Sequence, residues 1–255
     1  MTRMLKYVLQ DVLRARFVLF YMVFMMAVTT ILFQLDSDPA KVVMSLLNVV
    51  LLVVPLVSIV FTTIHYFNSY EFILLLMAQP INRKSVFLSQ YAGVASSLCL
   101  SLLIGIGLPA LAFGAATQVL PLINVGLFLT CIFVSLGFLA SSLTRDKAKA
   151  IGIALLFWFY FTLIYDGILL WVIYAFNDYP LETPTLILTS LNPVDLARIM
   201  MLLSMDISAL MGYTGAFFKD FFGSGFGILF SFAMMGLWVM WPLLLALRRF
   251  KKNDL

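Results

Sequence analysis

The chain has 255 residues, 63% of them hydrophobic and 11% charged, with a mean hydropathy of +1.07. A soluble domain carries roughly 45–50% apolar and about 25% charged residues, so soluble-enzyme classes are excluded and a polytopic membrane protein is indicated. The net charge of +4 does not point to nucleic acid, because the basic residues follow the membrane pattern set out below.

Residues Met1 to Arg16 place Met4, Leu5, Val8, Leu9, Val12 and Leu13 at helical spacing among Arg and Lys. That pattern predicts an amphipathic helix lying in the membrane interface. About 20 apolar residues are needed to cross the hydrocarbon core. Six stretches meet that length: Phe17 to Gln34, Val42 to Phe67, Tyr91 to Phe113, Leu120 to Leu143, Ile151 to Phe176, and Ser224 to Leu247. No small-residue cleavage pattern follows the first, so it is read as an uncleaved span. With the N terminus inside, Arg3, Lys6, Arg14, Arg16, Arg83, Lys84, Arg145, Lys147, Lys149, Arg248, Arg249, Lys251 and Lys252 are cytoplasmic. Only Lys41, Arg198 and Lys219 then lie outside. This asymmetry predicts cytoplasmic termini.

Between the second and third spans runs Tyr70 to Tyr91, YEFILLLMAQPINRKSVFLSQY. Its apolar run, Phe72 to Ala78, is too short to cross at about 1.5 Å per residue. Gln79, Pro80 and Asn82 break it. Arg83 and Lys84 then open the next helix, where the macrodipole disfavours positive charge. A plain interfacial loop with phosphate-contacting bases and a surface pushed by a partner both fit. Inside the membrane, Asp166 falls toward the outer end of the fifth span. It is either a functional site or a group that bonds a neighbouring helix or water.

The outer segment, Asn177 to Gly223, is the one sizeable extramembrane piece. Asn192-Pro193-Val194-Asp195 is a helix start, with Asn as cap, Pro in the first turn and Asp195 suited to the dipole. The predicted helix runs through Leu196 to Met205 and stops near Gly212. Leu186 to Leu188 and Phe217 to Phe222 are too apolar to face water and should lie in the outer interface or re-enter the membrane. Asp178, Glu182, Asp195, Asp206 and Asp220 make that face acidic, as a docking surface or merely as unconstrained charge. Gly223 and Gly227 allow close helix approach, within one subunit or between two. The methionine clusters read as packing. Cys99 and Cys131, isolated in separate apolar runs, suggest neither a disulfide framework nor a zinc site. No Gly-x-x-x-x-Gly-Lys-Ser/Thr loop is present, so ATP binding through a P-loop is not expected. Ser224 and His65 fall at opposite ends of the predicted spans, so no serine hydrolase is expected, and catalysis within the chain is not expected.

This pattern resembles the permease subunits of type-2, exporter-class ABC transporters: an N-terminal amphipathic helix, six spans, a glutamate-led coupling helix and an outer elbow before the last span. Within that class, Glu71-Phe72, Leu74 to Leu76, Gln79-Pro80, Arg83 and Tyr91-x-Gly93 resemble the permeases of nitrous-oxide-reductase maturation complexes. So does Asn192 to Arg198, followed by Asp206 and Gly212-Tyr213-Thr214-Gly215. The resemblance implies an all-α integral membrane fold and one permease domain over residues 1–255 in a bacterial inner membrane. It implies coupling to the ATPase through Glu71, Phe72, Leu75, Gln79 and Arg83, and outer docking through Asn192, Asp195, Arg198 and Asp206. The implied partners are a second copy of the chain, a pair of separate ATPase subunits carrying ATP and Mg, a periplasmic β-helical protein, and membrane lipid. No cofactor or metal is implied in the chain itself. A permease for gliding machinery, peptide or antibiotic, and a membrane scaffold that moves nothing, are the other readings.

Overall fold

A computed structural model describes residues 2–36, 38–77, 82–176, 182–205 and 225–252. Among them every regular element is helical. In chain order these are α1 (Thr2–Arg14), α2 (Arg16–Leu35), α3 (Pro39–Asn68), α4 (Tyr70–Met77), α5 (Arg83–Ala112) and α6 (Ala116–Leu143). Next come α7 (Lys147–Phe159), a π-helical turn (Tyr160–Ile164), α8 (Tyr165–Ala175), α9 (Glu182–Ser190), α10 (Pro193–Ser204) and α11 (Gly225–Lys252).

Six of these runs are long and apolar enough to cross a membrane: α2, α3, α5, α6, the α7–α8 run, and Gly227–Phe250 of α11. They match the six sequence-predicted spans to within a few residues at the ends, and the chain is a multi-pass membrane protein. The spans form two layers. In α3, α5 and α6 the apolar windows are 56%, 56% and 67% buried, against 22%, 17% and 22% in α2, α7–α8 and α11. A helix apolar all round is a central or membrane-facing element, and here both kinds occur. The exposed apolar side chains of the outer layer, such as Phe20, Leu156 and Leu229, are those that hydrocarbon solvates without penalty.

Small residues set how closely the central helices approach. A Cβ added at Gly137 of α6 would stand 2.8 Å from Thr62 Cβ and 3.0 Å from the Ile59 carbonyl of α3. At Gly105 of α5 the same atom would stand 2.8 Å from Met25 Cβ of α2. Such contacts draw packing energy from close backbones, because lipid supplies no hydrophobic drive between helices. The hydroxyls buried here bond their own helices. Thr62 donates to Ser58 O at 2.6 Å, Thr63 to Ile59 O at 2.8 Å and Ser141 to Gly137 O at 2.8 Å. These three hydroxyls are thereby satisfied without a partner helix.

At one end of the bundle lie the C-terminus of α3, all of α4, and the N-termini of α5 and α7. Lys147 Nζ donates to Asn68 Oδ1 at 2.8 Å and ties α7 to the end of α3. α1 lies beside α5, with Val8 and Val12 buried and Asp11 and Arg14 exposed. At the opposite end stand α9 and α10, bent from one another by 112° over Pro184–Ser190 and Pro193–Leu202.

Candidate functional site

The short helix predicted after the second span is α4, eight residues with Glu71 in its first turn. It is joined to α3 at Ser69, whose amide donates to the His65 carbonyl at 2.9 Å. Ile73 alone of its described side chains is fully buried, at 2% exposure; Phe72 and Leu74 are exposed, and Leu75 is 69% exposed. Glu71 is exposed as well. Ile73, with Leu76 partly buried against the core, thus holds an apolar outward face beside a carboxylate. The next helix starts at Arg83, with Asn82 Oδ1 accepting the Lys84 amide at 3.0 Å. This cap offsets part of the cost of opening a helix with two cations. Glu71, Phe72, Leu75 and Arg83 therefore occupy one end of the bundle, while Gln79 and Pro80 lie outside the described residues.

The opposite end is assembled differently. Asn192 caps α10 as predicted: its Oδ1 accepts the Val194 amide at 3.0 Å. Its Nδ2 does more, donating to Phe161 O at 2.9 Å and to Asp195 Oδ2 at 2.8 Å. Phe161 O is available because the π-turn shifts the register. The Tyr165 amide, its partner in an ordinary α-helix, bonds Tyr160 O instead. Arg198 then reaches both carboxylates, with Nη1 3.1 Å from Asp195 Oδ1 and Nη2 3.0 Å from Asp166 Oδ2. α10 thus brings a guanidinium and a second carboxylate to Asp166, which bonds a neighbouring helix, one of the two roles considered for it. Two carboxylates share one cation, and Asp166 Oδ1 is buried without a hydrogen-bond partner.

Asp195 sits outside the six spans with its side chain 4% exposed. Burial raises its pKa to about 7, and the neighbouring Asp166 adds to the shift; Arg198 and the Asn192 bond oppose it. The C-terminal carbonyls of α9, orphaned at a helix end, are taken from the bundle. Tyr165 Oη donates to Leu188 O at 2.6 Å and Trp238 Nε1 to Ser190 O at 3.3 Å.

Asn192, Asp195, Arg198 and Asp166 are brought together, whereas Asp206 lies outside the described residues. Sequence reasoning missed Tyr165 and Trp238, which carry no local signal beyond being aromatic residues with a polar tip. The two cysteines are also not isolated: Cys99 Sγ on α5 and Cys131 Sγ on α6 lie 4.0 Å apart as free thiols. Helix packing brings together positions that the sequence separates.

The family described as ABC-2 family transporter protein matches residues 73–255. Two curated relatives are similar over part of the chain. One, from Pseudomonas aeruginosa and named "Probable ABC transporter permease protein NosY", is 35% identical over 152 residues, 55% of this chain and 54% of the relative. The other, of the same name and from Stutzerimonas stutzeri, is 29% identical over 171 residues, 62% of this chain and 55% of the relative. The matches span about half the length of these relatives. With six apolar helices and a family match over more than half its length, this chain belongs to the ABC-2 transporter family as a membrane-spanning permease.

Proposed function

We propose that the chain is the permease of an ATP-driven ABC transporter of the NosY kind, serving maturation of nitrous oxide reductase. α4 is its input lever and the α9–α10 elbow its outer cover. The observation that carries the lever is the exposure of Glu71, Phe72 and Leu75 on a short helix in which Ile73 is fully buried and Leu76 packs partly buried on the core. A short amphipathic surface with few buried contacts can be displaced without unpacking the spans. The names of the relatives support the type of machine. The basic residues around Arg83 and in the Arg145–Lys149 turn support a cytoplasmic position for the α4 end by the positive-inside rule.

In this reading two copies of the chain sit on two ATPase subunits (NosF-like) that bind ATP and Mg, and a periplasmic NosD-like protein docks on the elbow. ATP-driven closure of the ATPases pushes Glu71 and its neighbours. α4 passes the push to α3 through Ser69 and to the bundle through Ile73. No step requires catalysis in the chain, and residues 1–255 act as one permease domain in the bacterial inner membrane. Co-purification with an ABC ATPase subunit, and ATP hydrolysis stimulated by the permease in lipid discs, test the reading. A purified chain that never associates with a nucleotide hydrolase overturns it.

A further inference from the structure

Cys99 and Cys131 sit near the middle of α5 and α6, at the depth of the membrane-spanning windows. Their sulfurs lie 4.0 Å apart, and both are free thiols that are partly rather than fully buried. None of the roles proposed above uses them. Two thiols in contact can arise from packing alone, so the pair by itself names no ligand.

A second observation does. Tyr21 of α2 is 2% exposed, and its hydroxyl has no hydrogen-bond partner. Cys99 is an ionisable group close enough to act on that oxygen. A buried donor without an acceptor carries the full cost of its lost hydration, and a neutral thiol is only a weak acceptor. A thiol that coordinates a metal gives up its proton, and its sulfur then becomes the acceptor that Tyr21 lacks. The other hydroxyls of the cluster fix the turn that carries Cys131. Tyr91 Oη of α5 donates to Cys131 O at 3.3 Å, and Ser135 Oγ of α6 lies 3.3 Å from Tyr91 Oη. Both thiols are close enough to act on that phenol. Three helices thus converge on one sulfur pair, with polar groups around it in the way that outer partners surround metal ligands.

We propose that Cys99 and Cys131 bind one soft monovalent metal ion, of which copper(I) is the cellular example, with Tyr21 bonding the Cys99 sulfur. The ligand set decides the ion. Among the described residues no third Cys, His, Asp or Glu joins the pair. Structural zinc takes four ligands, iron–sulfur clusters take four cysteines, and calcium and magnesium take oxygen. Of the ions that thiolates favour, copper(I) is the one satisfied by two sulfurs. With metal–sulfur bonds of about 2.3 Å, a linear site needs the sulfurs to part from 4.0 Å to about 4.6 Å. Side-chain rotation supplies that distance without moving a helix. One thiol proton leaves as the ion enters, and the other thiol binds through a sulfur lone pair. The occupied pair then carries no net charge, at a depth where charge is costly.

The test is titration of the purified full-length chain, reduced and free of oxygen, with copper(I) delivered from a competing colorimetric chelator. One ion per chain is expected, with a sulfur-to-copper absorption in the near ultraviolet. Removing an outer partner of a metal ligand costs about 10–100-fold in affinity, so Tyr21→Phe should weaken binding about tenfold. Cys99→Ser and Cys131→Ser should each weaken it by about a hundredfold or more. An unchanged thermal transition shows that a variant is folded, and alanine replaces serine where serine disturbs it. A reduced chain that takes up no copper(I) overturns the proposal. A folded Cys99→Ser/Cys131→Ser double variant with the original affinity also overturns it, by assigning the ion to methionine sulfur. Zinc(II) held at the pair as tightly as copper(I) overturns the choice of ion, and an unchanged affinity in Tyr21→Phe overturns the role of the hydroxyl. Glu71→Ala should leave copper(I) affinity intact, so failure of the thiol site and failure of the lever are read separately.

Discussion

The two ends of the bundle are built on opposite plans. At the elbow end, α9 and α10 are stitched to the spans by Asn192, Arg198, Tyr165 and Trp238, through bonds that are buried or partly buried. At the other end, α4 is held by Ile73 and a turn, and its remaining described side chains are partly or fully exposed. A region fixed by several hydrogen bonds to neighbouring helices opens less readily than one with few buried contacts. In the proposed function, the difference would give a stiff cover at one end and a compliant handle at the other.

The most direct way to break that contrast is Glu71→Ala. ATP hydrolysis by the assembled complex should fall to the rate of the ATPase alone, with membrane insertion unchanged; full stimulation would remove the handle. At the stiff end, Asn192→Ala leaves α10 uncapped and Phe161 O and Asp195 without their donor. A loss of about 2–3 kcal/mol is expected in denaturant titration.

Proton uptake sharpens the same contrast. Asp195 has its folded pKa raised from 3.8 to about 7, so its protonated form favours the closed elbow. That contribution is fully present below pH ~4 and is lost as pH climbs through about 7. Amide exchange in α10 should therefore quicken between those values while α4 stays unaffected, and Asp195→Asn should flatten the slope. Gly137→Leu forces side-chain atoms into Thr62 and the Ile59 carbonyl. It should cost about 1–3 kcal/mol, read as a lowered melting midpoint, and should show that the two ends communicate through α3 and α6. The smallest effect is Tyr165→Phe. Losing the bond to Leu188 O should cost about 1 kcal/mol and be visible as proteolysis after α9.

Much of the frame was legible in the residues, because span length and hydropathy are set by the bilayer and need no knowledge of neighbours. The short helix at Glu71 followed from a run too brief to cross, and the cap at Asn192 from local chemistry alone. What stayed hidden depends on how helices face one another. Cys99 and Cys131 meet because α5 and α6 pack at that level, and periodicity does not say which faces touch when helices are apolar all round. Arg198 meets Asp166 because the 112° bend between α9 and α10 folds the second helix back on the bundle.

The π-turn at Tyr160–Ile164 adds a residue to what would be a continuous α-helix, so every side chain beyond it is rotated by about 100° from its uninterrupted position. Deleting one residue within that turn would restore ordinary winding and swing Asp166 and Tyr165 away from Arg198 and Leu188 together. A one-codon change in a membrane helix would then unclasp a structure outside it, with no residue of the clasp itself altered.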